Sequence, residues 1–166
     1  MLNVVICGPD GEQNEYMRTL VETSVTGGPV RTVAFENTGA FINFMDTRGY
    51  DMHIVITDVA LGEYNGIKLM RIIQERLPDL QIIFASKYKE LVFDAYAVRH
   101  VAFIPFPIDR EYFRNAIMMA EEAIRLRRKS YLVLARGGLI SRIDLDDVLF
   151  LESEGRTLNV YTSHGM

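Results

Sequence analysis

At 166 residues, 49% of them hydrophobic, the chain has room for one ordinary domain with a real core, or for one domain and part of a second. A formal net charge of -4 argues against the strongly basic footprint of a dedicated nucleic-acid binder, so any DNA contact has to be local. Cys7 is the only cysteine, which excludes a disulfide framework and, with its apolar neighbours, points to a buried thiol in a reducing, cytoplasmic setting.

The N-terminus has no positive region followed by a long apolar stretch, and no apolar run approaches the roughly 20 residues of a membrane helix. Neither secretion nor membrane insertion is expected. His53, His100 and His164 lack a second ligand at zinc-like spacing, and no GxxxxGK[ST] or GxGxxG loop is present. With no nucleophile–base pair or metal cluster in the sequence, a self-contained enzyme is not expected either.

From the start to about residue 128, short apolar runs alternate with helix-like segments, the pattern of βα units around a parallel sheet covered on both faces. Asn3–Cys7 predicts the first strand and Glu12–Val25 its helix, opened by Asp10 with Gln13 three residues on, as in a capping box. The second unit is Arg31–Phe35 followed by Thr38–Arg48, whose Ala40, Phe41, Phe44 and Met45 share a face. His53–Thr57 with Gly66–Arg76 and Gln81–Ala85 with Lys89–Arg99 are the third and fourth. The fifth pairs Val101–Pro105 with Arg110–Arg128, capped by Asp109 and striped by Phe113, Ile117, Ala120 and Ile124.

After Ser130 the period changes. Tyr131–Ala135, Leu139–Asp144, Val148–Glu152 and Leu158–Thr162, separated by Gly137-Gly138, Asp146-Asp147 and Glu154-Gly155, predict an antiparallel meander. The expected fold is therefore α/β, a doubly wound five-stranded parallel sheet followed by a short antiparallel β segment. Its expected parts are a domain over 1–126, a linker over 127–130 and a β module over 131–166. In that module Arg136, Arg142 and Arg156 stand against five acids, a net -2 that does not make a DNA-binding face. Leu149, Leu151, Leu158 and Val160 give it an apolar side too large for so short a segment to bury, so pairing with a second copy is expected.

The β-branched run from His53 to Thr57 suits a buried strand, yet it ends on the carboxylate of Asp58. In an open parallel α/β sheet ligands bind in the crevice beyond the carboxyl ends of the strands. Gly8-Pro9-Asp10, Asp58, Ser86 and Phe106-Pro107 all fall there. A carboxylate facing a serine hydroxyl across that crevice is the arrangement of an aspartyl-phosphate site. The competing reading makes Asp58 a cap on its own loop and Ser86 a turn or helix-cap residue at the start of the fourth helix.

Five βα units, an acid ending the third strand, Asn65-Gly66 opening the next helix and Pro107-Ile108-Asp109 before the last resemble the receiver domains of bacterial response regulators. The tail, LISRIDLDDVLFLESEGRTLNVYT, is similar to the opening of the LytTR DNA-binding domain, most specifically in LDDVLFLESEG. Together these imply a LytTR-family response regulator: a sensor histidine kinase as partner, Asp58 as phosphoacceptor, Ser86 as the switch hydroxyl, and promoter DNA bound through a complete LytTR domain. Arg156 lies in the first loop where that family contacts bases, although for this chain an ordinary turn arginine is the preferred reading.

Other family positions are altered. The acid pair that helps bind Mg²⁺ falls on Gly8 and Pro9, with Asp10 one position late, and the lysine before proline falls on Phe106. Mg²⁺ prefers near-octahedral oxygen ligands including one or two carboxylates, so it is expected to bind weakly or not at all, through Asp58 and doubtfully Asp10. A unit charge pair 4 Å apart at a surface-like dielectric is worth about 4 kcal/mol, on the order of a thousandfold, and an aromatic ring cannot supply it. A non-enzymatic dimerisation module without DNA binding is the alternative function.

Overall fold

The computed structural model describes residues 1–48, 51–128, 131–136, 139–155 and 157–163. Arg156 and linker residues 129 and 130 therefore lie outside the described residues, as does the Gly137-Gly138 turn. The chain divides into two compact units, Met1–Ile124 and Arg125–Met166.

In the first unit, β1 (Leu2–Cys7), β2 (Val30–Phe35), β3 (Ile54–Thr57), β6 (Gln81–Ser86) and β7 (Ala102–Pro105) form one sheet in the order β2-β1-β3-β6-β7. Each of its neighbouring pairs is parallel. The helices are α1 (Gly11–Ser24), α2 (Thr38–Arg48), α3 (Gly66–Arg76), α4 (Val92–Ala95) and α5 (Arg110–Arg128). Two-residue strands β4 (Ala60–Leu61) and β5 (Tyr64–Asn65) make a small hairpin between β3 and α3.

Alternation along the strands divides the core in two. Val5, Cys7, Val55, Ile82, Phe84 and Phe103 face one way, against Phe41 of α2, Met70 of α3 and Ala95 of α4. Val4, Ile6, Ile54, Ile56, Ile83 and Ile104 face the other, against Leu20 and Val21 of α1 and Phe113 and Ile117 of α5. All four residues of β3 are buried, as a strand covered on both faces requires. Each such aliphatic side chain contributes about 1.5–3 kcal/mol over its exposed state, so the strands cannot shift by one residue without reversing both cores.

Side chains close the helix ends. Asp10 Oδ1 accepts from Gln13 N at 3.0 Å, Asn65 Oδ1 from Lys68 N at 2.9 Å and Asp109 Oδ1 from Tyr112 N at 2.7 Å. Among the described residues no helix is long and apolar enough to cross a membrane.

The expected fourth helix, Lys89–Arg99, is a correction. A 3-10 turn at Lys89–Leu91 leads into the single turn of α4, and the rest is irregular. Beyond α4 the backbone tightens, with Tyr96 N, Ala97 N and Val98 N each donating to the carbonyl three residues back. The Gln74 side chain of α3 then holds the end of the segment, donating to Arg99 O at 2.7 Å and accepting from Arg99 N at 3.2 Å. Phe93 and Tyr96 remain 80% and 74% exposed, so the segment buries little beyond Ala95 and Val98.

The second unit is corrected too, from one meander to two hairpins. β8 (Tyr131–Arg136) pairs with β9 (Leu139–Asp144), and β10 (Val148–Glu154) with β11 (Thr157–Thr162), each as a separate two-stranded sheet. Gly155 turns the second hairpin at φ +59°, where a side chain is disfavoured. Phe150 and Tyr161 stack across it with ring centroids 4.3 Å apart. Leu149, Leu151 and Leu158 stay exposed.

A segment with a single helical turn opens more easily than a full helix. Amide hydrogen exchange is expected to be faster over Phe93–Val98 than over Met70–Ile73 of α3. Equal protection in the two segments would contradict this account of the fourth connection.

Candidate functional site

The order of the sheet reverses between β1 and β3, so the loops that leave their carboxyl ends diverge and leave a crevice. Three backbone bonds fix its rim. Gly8 N donates to Phe35 O at 3.1 Å, Asp58 N to Cys7 O at 3.1 Å and Phe106 N to Ser86 O at 3.0 Å. These extend the sheet's hydrogen bonding past the strand ends, placing Gly8, Asp58, Ser86 and Phe106 around one opening.

Asp58 and Ser86 meet there. Ser86 Oγ donates to Asp58 Oδ1 at 2.6 Å, the short distance of a hydroxyl bound to a carboxylate, and both residues are buried. The same Oδ1 accepts from Ala60 N at 3.1 Å, and Ser86 Oγ accepts from Tyr88 N at 3.2 Å. Each side chain thus also holds its own loop, Ser86 through a turn bond and not as a helix cap, since neither the 3-10 turn nor α4 has a side-chain cap. A hydrogen bond to a charged group contributes about 1.5–3 kcal/mol, enough to hold both side chains in place.

Gly66 is what lets the Asp58 loop close. Gly66 N donates to Val59 O at 2.9 Å, and a methyl group on Gly66 would overlap the Asp58 carbonyl oxygen. The hairpin β4–β5 spans the same loop, with Gly62 at φ +64° in its turn.

Beneath the site, Cys7 is buried on the core face of β1 and its thiol is pushed up to about 12, first by burial and then by the negative charge of Asp58.

The crevice is narrow. A cavity of about 20 Å³ is lined by Gly8, Pro9, Asp10, Asn14, Asp58 and Phe106, among others, and no lysine or arginine lines it. Phe106 puts apolar area where a cation would be needed. Lys87, next to Ser86, has its ammonium 5.2 Å from the ring centre of Tyr88.

Mg²⁺ does not fit this arrangement. It takes near-octahedral oxygen ligands, usually with one or two carboxylates among them, and the residues that follow β1 here, Gly8 and Pro9, supply no carboxylate. Of the two carboxylates lining it, Asp58 has Oδ1 committed to Ser86 and Ala60, and exposed Asp10 has Oδ1 committed to the start of α1. No group of three or more His, Cys, Asp and Glu able to hold a metal occurs among the described residues.

The structure thus brings Asp58, Ser86 and Asp10 to one crevice and leaves Arg156 outside the described residues. Asn14 escapes sequence reasoning. It is a polar residue on the buried stripe of α1, with Met17, Leu20, Val21 and Ser24, and that interruption of an apolar face is the one signal that marks it.

A parallel five-stranded sheet in this order, helices on both faces and an acid at the switch point define the flavodoxin-like receiver class. The chain belongs to the response regulator receiver domain family, whose profile matches residues 10–118, and so carries a domain of two-component signalling. The response regulatory domain of mrkE from Klebsiella pneumoniae superposes with a TM-score of 0.67 at 16% identity, covering 75% of this chain and 99% of that one. A two component transcriptional regulator AraC from Clostridium phytofermentans gives 0.63 at 17% identity, covering 78% and 100%. RcsB from Salmonella enterica serovar Typhimurium, bound to promoter rprA in the presence of phosphomimetic BeF3-, gives 0.59 at 21% identity, covering 70% and 66%. At these identities the likeness is one of fold. No curated protein matches the chain.

The raised thiol of Cys7 has a testable sign. Below its ordinary value of 9.0 the thiol is protonated in both folded and unfolded chains and stability is unaffected; between 9.0 and about 12 the unfolded chain alone loses the proton, so stability falls as pH rises. Denaturant unfolding over pH 8–11 should show a steeper decline than in Cys7→Ala, and a thiol reagent at pH 8 should label Cys7 only as the protein unfolds. Identical pH slopes, or rapid labelling of the native protein, would contradict this burial.

Proposed function

We propose that this protein is a response regulator of the LytTR kind whose receiver has lost the cationic half of its phosphorylation chemistry. The observation that carries the reading is the Asp58–Ser86 bond at the end of β3, with a carboxylate and a hydroxyl where a phosphoacceptor and switch residue would stand, while the crevice beside them is lined by Phe106 and by no lysine or arginine. Phosphoryl transfer depends on positioning and on cations that offset charge on the moving oxygens. Asp58 is therefore a poor acceptor from a sensor histidine kinase, Mg²⁺ binds weakly, and the protein works as a regulator rather than as an enzyme.

The output is transcriptional in this reading. It rests on the likeness of LDDVLFLESEG to the start of a LytTR domain, and that segment runs from a 3-10 turn into β10. Two neighbours of the same receiver fold are a transcriptional regulator and a promoter-bound protein by description. Promoter DNA would be gripped by a complete domain of that kind, with Arg156 a minor contributor.

A second reading, a homodimerising interaction module without DNA binding, draws on the net -2 of residues 131–166 and the exposed Leu149, Phe150, Leu151 and Leu158 of the β10–β11 hairpin. Hairpins with open edges and apolar sides pair readily with copies of themselves.

Fluorescence anisotropy with duplexes drawn from upstream of the protein's own gene, together with light scattering, separates the two. The transcriptional reading expects salt-sensitive DNA binding by the protein from its intact reading frame and none after deletion from Tyr131 onward. Dimers that ignore DNA and fall apart on that deletion support the second. Monomers without DNA affinity would sink both.

A further inference from the structure

We propose that the cavity under α2, toward the amino ends of β1 and β2, binds a small amphipathic zwitterion, of which a free amino acid with an apolar side chain is the simplest. The ligand's carboxylate is for Arg31, its ammonium for Asp51, and its side chain for the apolar wall beside them. Asn3 and Gly8 stand roughly 16 Å apart along the strand direction, so this site and the Asp58 crevice occupy opposite ends of the sheet.

The cavity measures about 350 Å³, far more than the water-sized voids of a packed core and within the roughly 300–1,000 Å³ of small-molecule sites. Strand register fixes its floor. Asn3 pairs with Arg31 and Val5 with Val33, so these four side chains lie on the face of the sheet that α2 covers. Phe44 of α2 and Met52 complete the apolar part of the lining.

Its walls are tied in place, so the space is preformed. Phe44 packs on Phe35 with ring centroids 5.1 Å apart, and Met52 is buried. Asn3 Nδ2 donates to Asp51 O at 2.9 Å, which anchors the Asp51 backbone to β1. His53 is held to the same residue twice, its N donating to Asn3 O and its Nδ1 accepting from Asn3 N, each at 3.0 Å.

The charges at the rim select the ligand. Arg31 on β2 and Asp51 just before β3 line the cavity from either side of Asn3, and both are exposed. Among the described residues neither side chain has a hydrogen bond or an ion pair, with the other or with any third group. A guanidinium fork matches a carboxylate, and a carboxylate accepts from an ammonium. Asp51 repels a phosphate or a dicarboxylate, and Arg31 repels a simple amine. One head group carrying both signs, on an apolar body, suits rim and wall together.

The experiment is an NMR titration of the full chain with L-leucine, L-methionine and L-phenylalanine, and with hydrocinnamate and phenethylamine, which each lack one charge of phenylalanine. At least one of the amino acids should give saturable shifts at millimolar concentration, centred on Asn3, Val5, Arg31, Val33 and Met52, and should raise the melting temperature. Hydrocinnamate and phenethylamine should bind at least about tenfold more weakly than phenylalanine. Arg31→Gln and Asp51→Asn, each first checked for native circular dichroism, should weaken the bound amino acid by a similar factor, whereas Asp58→Asn should leave its affinity unchanged. No saturable shift from any of the three, shifts centred away from this cavity, full affinity for hydrocinnamate, or indifference to both charge variants would overturn the proposal. None of these readouts involves phosphoryl transfer, DNA or oligomeric state, so the proposal can fail while the regulator reading stands, and the reverse.

Discussion

A carboxylate buried at the end of a sheet strand has to be met by donors, and the way Asp58 is met governs the rest of this site. Its answer is the 2.6 Å bond from Ser86 Oγ, supported by Ala60 N. Hydrogen bonds of this kind hold a charge in place within a low-dielectric interior. They do not offset the charge that builds up when a phosphoryl group arrives, which is the work of cations. The site is therefore well positioned and poorly charged for that chemistry.

Its position depends on features far from the acid in sequence. The period-2 division of the strands locks β1, β3 and β6 in register, so that Gly8 and Asp58 follow the paired Cys7 and Thr57 and Ser86 stands one residue past the level of Asp58. Gly66 allows the loop after Asp58 to turn back against it, and the Asn65 cap starts α3 immediately afterwards. Below the acid, Cys7 keeps its proton because the same burial and the same negative charge act on it. The crevice is a product of the whole sheet, and Asn14 and Phe106 are among the side chains that line it.

Much of this is legible in the sequence for a physical reason. Runs such as Ile54–Thr57 and Gln81–Ser86 are buried on both faces, and burial selects for the β-branched and apolar residues that announce a strand. Asp58 and Ser86 stand out because each ends such a run. The segment after Ser86 is misleading: Leu91, Val92, Ala95 and Val98 have helical spacing, but after one α-helical turn the bonding tightens to three residues back and the Gln74 side chain takes the backbone of Arg99. The β4–β5 hairpin is too short to show any period. The tail's alternation shows its strands, while their division into two hairpins depends on which edges meet. Asn14 interrupts an apolar face in the sequence, but its partners emerge only when folding brings Gly8 and Phe35 beside it.

The most direct test of the account is intact-protein mass spectrometry after incubation with acetyl phosphate and Mg²⁺. The expected result is a spectrum of unmodified protein, with no species heavier by one phosphoryl group above the level seen in Asp58→Asn. A stoichiometric phosphoryl adduct on wild type that disappears in Asp58→Asn would contradict it, by showing that this crevice supports phosphoryl transfer with the groups it has.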